Sequence, residues 1–211
     1  MKPTVILVRH GETRLNAAHR IDSWLPVGLI PGADVVIRET AGVLNEHFSL
    51  ANPIVCSDLP RSYETADILG EELMLEVIRD FALRSWNMGK LSGQKHADVA
   101  QFIKRAVDNP LEPLPGGESL NSFLTRWRGA FEKLIARAIS SPEEAIIAVT
   151  HSRNIEACRY FATGDRSKLQ NTHSVKPGEA TSWQVIAGKL REVPIPEPGI
   201  GQGETADGAN A

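Results

Sequence analysis

The sequence has little cysteine: two among 211 residues, Cys56 and Cys158, each set in an apolar stretch. That excludes a disulfide-stapled scaffold, and two buried thiols suit a reducing compartment. Long apolar runs are missing too. Nothing approaches the ~18 residues of a membrane span, and the apolar stretch after Lys2 is cut short at Arg9, so no signal-peptide core is present. A cytoplasmic protein is expected. Nor is there an excess of positive charge. With 23 lysines and arginines against 26 acidic residues the net charge is −3, the wrong balance for a general nucleic-acid binder. Any anion site must therefore be a local cluster of cations. Metal-ligand spacings such as HExxH and CxxC are also absent, and neither a metal nor a cofactor is expected.

What is present is an ordinary globular composition, 42% hydrophobic and 23% charged, in a chain long enough for one sizeable core. Short β-branched runs lie at 4–8, 53–56 and 145–150, with a weaker one at 183–187. The first three are continuously apolar, the pattern of strands buried on both faces. Helical spacing of apolar residues fills 33–48, 60–74, 119–139 and 153–162. Pro60 suits a first helical turn, Ser119 suits a cap, and Gly164 suits a stop. The alternation predicts an α/β fold: a three-layer sandwich whose mostly parallel central sheet carries helices on both faces. One domain is expected over 1–193. From Pro194 the chain is rich in Pro, Gly and small polar residues, and 194–211 reads as a disordered tail; its "GIGQG" follows no strand and carries no nucleotide-binding meaning.

Chemistry gathers at the strand ends. The run "VILV" drops directly into Arg9, His10, Gly11 and Glu12, and desolvating Arg9 without a partner costs several kcal/mol, so an anion of the protein or of a ligand must be close. The second strand leads through "CSDLP" to Arg61, and the third ends at His151. Ligand crevices of such sheets lie beyond the carboxyl ends of the strands. Two arginines and two histidines there form a basic pocket in an acidic protein, suited to a phosphoryl group gripped by guanidinium forks. Asn16 adds one more donor.

The stretches "RHGETRLN", "SDLPRSYETA", "PGGESL", "VTHS" and "NTHSV", in that order, resemble the histidine phosphatase superfamily in its phosphoglycerate-mutase-like branch, over about residues 4–187. The resemblance implies His10 as the nucleophile that becomes phosphorylated. It implies that Arg9, Arg61 and His151 hold the phosphoryl group and that Asn16 contacts it. The chemistry fits: a neutral imidazole attacks phosphorus and the product is labile to water, while fixed cations stabilise the equatorial oxygens. Glu12 is expected to orient an arginine. His19, His47, His96 and His173 are expected at the surface or behind the site, and Trp86, Trp127 and Trp183 in the core or the pocket wall.

Two departures stand out. Relatives place a general-acid glutamate where this chain reads "ALRSWNMG", the aligned residue being Ser85; the acid-phosphatase branch places an aspartate where this chain has Ser152. Asp80, close to Ser85, aligns with a structural position. Glu118 in "GGES" is the stand-in proton donor, although its charge also suits the N-terminus of the following helix. The loop after Arg20 reads "PVGLIPG" where relatives read "D-x-PLT". The expected function is a phosphatase acting on a small phosphate monoester or anhydride with a good leaving group. A phosphate-binding protein without turnover is the alternative, and a phosphomutase ranks third. No nucleic-acid or membrane partner is expected.

Overall fold

The computed structural model describes residues 2–170 and 175–195. Strands β1 (Thr4–Arg9) and β4 (Ile146–Thr150) are buried along their whole length, as their unbroken apolar sequences require. They pair in parallel, Val5 opposite Ile146 through Arg9 opposite Thr150. On the far side of β4 lie β2 (Ile54–Cys56) and β3 (Val77–Arg79), also parallel. On the far side of β1, strands β5 (Ala180–Ile186) and β6 (Lys189–Val193) run antiparallel, giving the six-stranded order β3-β2-β4-β1-β5-β6.

Alternate side chains of each strand enter opposite layers. Ile6, Val8, Ile147 and Val149 pack with Ile37, Ala41 and Leu44 of α2 (Asp34–His47), which follows the one-turn α1 (Arg14–Ala17), and with Ala66, Leu69 and Leu73 of α3 (Pro60–Leu73). Val5, Leu7, Ile146 and Ala148 face the other way, toward Phe123, Trp127 and Phe131 of α5 (Leu120–Ser140) and Ile155, Ala157 and Cys158 of α6 (Ser152–Thr163). The expected three-layer α/β sandwich is observed, with helices on both faces of a sheet that is parallel through β1, β4, β2 and β3.

The expected punctuation also operates. Pro60 opens α3, the Ser119 hydroxyl accepts from Ser122 N to cap α5, and Gly164 ends α6 with φ 74°. The weak strand expected at 183–187 falls on β5, whereas helix α4 (His96–Asp108), the short strand β3 and the hairpin partner β6 have no counterpart in the sequence reading. β3 is only three residues long and its side chains are half-buried to exposed, so it carries no apolar run to read. Among the described residues no helix is long and apolar enough to cross a membrane. Of the tail expected from Pro194, residues 196–211 lie outside the described residues, as do His173 and most of "NTHSV".

Candidate active site

Three strand ends meet at one cavity of about 230 Å³, lined by Arg9, His10, Asn16, Arg61 and His151 among others. His10 leaves β1 with its amide donating to Thr150 O at 3.0 Å, which ties the first strand end to that of β4. Gly11 N donates to Thr65 Oγ1 and Thr65 Oγ1 donates to Arg61 O, tying β1 to the first turn of α3. The sheet register and these cross-links set the distances between the four groups.

Arg61, 1% exposed, is the hub. Its Nε donates to His10 Nε2 at 3.2 Å and its Nη2 to His151 Nδ1 at 3.3 Å. A guanidinium only donates, so both of these ring nitrogens present lone pairs. His10 then carries its proton on Nδ1, which donates to Gly11 O at 2.8 Å and leaves the Nε2 lone pair toward Arg61. His151 carries its proton on Nε2, which is buried and has no partner in the protein. The two rings stand edge to face with centroids 5.1 Å apart. Burial, followed by the charge of Arg61, holds both histidines well below the ordinary imidazole range. Each ring is neutral near pH 7, the form a nucleophilic imidazole needs.

The cations are fixed by main chain. Arg9 Nη1 donates to Val175 O at 2.6 Å, and its buried Nε has no partner in the protein. Arg61 donates further to Ser23 O at 2.7 Å and Leu25 O at 3.1 Å, while its own amide donates to Val27 O. The loop that departs from "D-x-PLT" thus grips the arginine through carbonyls. Burial draws the Arg61 pKa down to about 10, with Asp22 pulling the other way. Asp22 lies 3.9 Å from Arg61 Nε and accepts from Thr13 Oγ1 at 2.9 Å and Asn16 Nδ2 at 2.5 Å. Asn16 lies on the cavity wall as expected, with one amide hydrogen given to Asp22 and the other left for a ligand.

Sequence reasoning missed Asp22. The available signal was the requirement that a buried guanidinium have an anion nearby; the aspartate that meets it lies 39 residues away in the chain and follows no motif. His19, Arg20, His96 and Lys176 also line the cavity, so two of the four histidines expected at the surface or behind the site border the pocket. Trp86 forms pocket wall, while Trp127 and Trp183 are core.

Ser85 and Ser152, the two positions at which the family resemblance implies an acid, both line the cavity. The Ser85 backbone is pinned: its carbonyl accepts from Trp24 Nε1 at 2.8 Å and Arg126 Nη2 at 3.1 Å. Just before it, Arg84 makes a two-pronged pair with Asp58 at 2.7 Å and packs between the rings of Trp24 and Phe81. Glu118, the stand-in acid, does not line the cavity. Its carboxylate accepts from Asn87 N at 2.8 Å and Arg126 Nη2 at 2.6 Å. The neighbouring Gly117 packs so close that a Cβ there would lie 2.3 Å from Asn87 O, which is why "PGG" precedes this glutamate. Glu118 thus braces two loops, and capping of α5 falls to Ser119. Among the described residues no cluster of three His, Cys, Asp or Glu is arranged to hold a metal.

The carboxyl ends of central parallel strands here surround two neutral imidazoles with fixed guanidinium groups, an arrangement suited to a tetrahedral oxyanion. The sequence model of the histidine phosphatase superfamily (branch 1) matches residues 5–191, and the chain belongs to that superfamily. It is 30% identical over 162 residues to glucosyl-3-phosphoglycerate phosphatase of Mycobacterium tuberculosis, covering 72% of each chain. To the probable phosphoglycerate mutase GpmB of Serratia proteamaculans it is 33% identical over 136 residues, 62% of each chain. The solved structure of a mycobacterial glucosyl-3-phosphoglycerate phosphatase complexed with VO3 shares the fold at a TM-score of 0.76 with 22% identity, over 92% of this chain and 98% of that one. The family thus contains both phosphatases and mutase-like proteins similar to this chain.

Proposed function

We propose that the protein is a phosphatase that works through a phosphohistidine at His10. The observation that carries this reading is the lone pair of His10 Nε2, held toward Arg61 in a ring that burial keeps neutral. In the first step Nε2 attacks phosphorus in line with the leaving oxygen. Arg9, Arg61, the remaining N–H of Asn16 and the Nε2 proton of His151 bind the equatorial oxygens as charge develops on them. Water then attacks the phosphorus–nitrogen bond, releases phosphate and restores the neutral ring. The reaction draws its positive charge from guanidinium groups and needs no metal, so EDTA leaves turnover intact. Two unpaired buried thiols, Cys56 and Cys158, suit a reducing cytoplasm.

Serine at positions 85 and 152 limits the leaving group. A general acid contributes about 10²–10⁴-fold when the departing oxygen is basic and little when it is already stable as an anion. The preferred substrates are therefore small aryl phosphates and phosphoric anhydrides over alkyl monoesters, and a phosphomutase, which must protonate and deprotonate an alkyl oxygen, fits poorly. The same serines favour a second reading, a phosphate-binding protein without turnover. One assay separates the two: quench the enzyme during turnover of a labelled aryl phosphate and look for acid-labile, base-stable label. The phosphatase reading requires label on the wild type and none on His10→Ala; tight vanadate binding with neither label nor product would leave only the binding protein.

A further inference from the structure

Arg153 takes no part in the phosphoryl pocket, yet it lines the same cavity two residues beyond His151. It is the second residue of α6. Its guanidinium lies 5.6 Å from the Trp86 ring, Nη1 donates to Leu169 O at 3.1 Å, and Nη2, closed off from solvent, has no partner in the protein. A cation in the first turn faces the positive end of the helix dipole, and a desolvated N–H without an acceptor is costly. Glu156, one helical turn on, offsets part of the charge cost, and the rest, with the unmade bond of Nη2, falls to an anion beside that nitrogen. Of the other cations of the wall, Arg20 donates to Gly93 O, Lys176 is an exposed side chain 3.7 Å from Glu179, and Arg9 and Arg61 are assigned to the phosphoryl group. Arg153 is thus available for a second anionic group.

Resting on the phosphohistidine reading, we propose that the substrate is a phosphoric anhydride and that Arg153 binds its leaving phosphate. Ser85 and Ser152 line the cavity with Arg153, and a carboxylate at either position would repel a second anion there. A leaving phosphate also departs without taking up a proton, so one substrate class explains both the missing acids and the unpartnered guanidinium. An alkyl ester carrying a distant carboxylate would explain only the second. In the reaction His10 Nε2 forms a bond to the terminal phosphorus, and the bond from that phosphorus to the bridging oxygen breaks. The electron pair stays on the bridging oxygen, which becomes an oxygen of the phosphate held by Arg153. Water then supplies the fourth oxygen of inorganic phosphate, its protons passing to the products and solvent.

The test compares inorganic pyrophosphate, 4-nitrophenyl phosphate and glycerate 3-phosphate on the full chain in EDTA. Wild-type kcat/KM is expected to be at least about tenfold higher for pyrophosphate than for glycerate 3-phosphate. Arg153→Gln should lower the ratio of pyrophosphate to nitrophenyl phosphate turnover about 10- to 100-fold, the size of one charge-assisted hydrogen bond, and Arg153→Lys should restore part of it. Independently of any variant, methylenediphosphonate should inhibit the wild type at a concentration at least about tenfold below that of phosphate. A ratio unchanged by Arg153→Gln, or pyrophosphate no better than glycerate 3-phosphate, overturns the proposal. Nitrophenyl phosphate turnover with label on His10 but no pyrophosphate cleavage defeats this inference alone. Neither turnover nor label defeats the phosphohistidine reading, and this proposal with it.

Discussion

On one side of the cavity Arg9, His10, Arg61 and His151 bond to one another and to main-chain carbonyls at 2.6–3.3 Å. Around the rest of its wall, Ser85 and Ser152 stand where the family resemblance implies an acid, and Arg153 keeps an unpartnered nitrogen. The first group is tightly located: Arg61 is held by four side-chain bonds and Arg9 by one to Val175 O. The second has a pinned backbone at Ser85 but serine side chains free of such bonds among the described residues. On the proposed reading, transfer chemistry and substrate choice are built by different means within 230 Å³.

Breaking the first side should have the largest effect. His10→Ala removes the nucleophile and should cost at least about 10⁴-fold in kcat, read with 4-nitrophenyl phosphate; residual activity near wild type would move the nucleophile elsewhere. Arg61→Ala removes donors to both rings and should cost about 10²–10³-fold, with loss of vanadate inhibition. Intact inhibition would place Arg61 outside phosphoryl binding.

The second side is sharpened by addition. Ser85→Glu should raise alkyl-ester turnover about 10²-fold and aryl-ester turnover far less, because the pinned backbone already presents position 85 to the cavity. A leaving-group series reads this as a steep wild-type dependence on leaving-group pKa that flattens in the variant. A wild-type plot that is already flat would mean that another group donates the proton.

Smaller still is the pH effect on stability. His10 and His151 are neutral in the fold because burial and Arg61 depress their pKa values. The unfolded chain takes up those protons first, so stability is full above about pH 6.5 and falls as pH drops below it, by up to about 1.4 kcal/mol per pH unit for each ring. Urea unfolding between pH 7.5 and 5.5 measures the slope, and a flat profile would mean that the rings are not held neutral. The smallest change is expected from Glu118→Gln. This carboxylate braces Arg126 and Asn87 outside the cavity, so the leaving-group dependence should stay within about threefold of wild type. A marked steepening would make Glu118 the acid.

These contrasts also mark what the sequence made legible. β1 and β4 announce themselves because strands buried on both faces are written as unbroken apolar runs, and the groups at their ends follow from where such strands stop. β3 and β6 stayed hidden because edge strands bury little. Helix α4 was legible: Val99, Ile103, Ala106 and Val107 recur at i, i+4, i+7 and i+8, so its omission owes nothing to its pattern. Within the site, residues that face the ligand belong to recognisable motifs, whereas Asp22 acts through a contact that only folding creates. Arg153 was legible as a residue but not as an isolated charge, because its state depends on which atoms of Leu169 and Trp86 reach it.

The carbonyl grip on Arg61 bears on how such a protein diverges. Ser23 and Leu25 hold the guanidinium through atoms common to every amino acid, and Val27 receives the Arg61 amide in the same way. Mutation can rewrite the side chains of this loop while the acceptors persist, provided the backbone path survives. A segment that departs from the family's usual "D-x-PLT" is therefore free to drift toward new substrates, because Arg61 does not depend on its spelling.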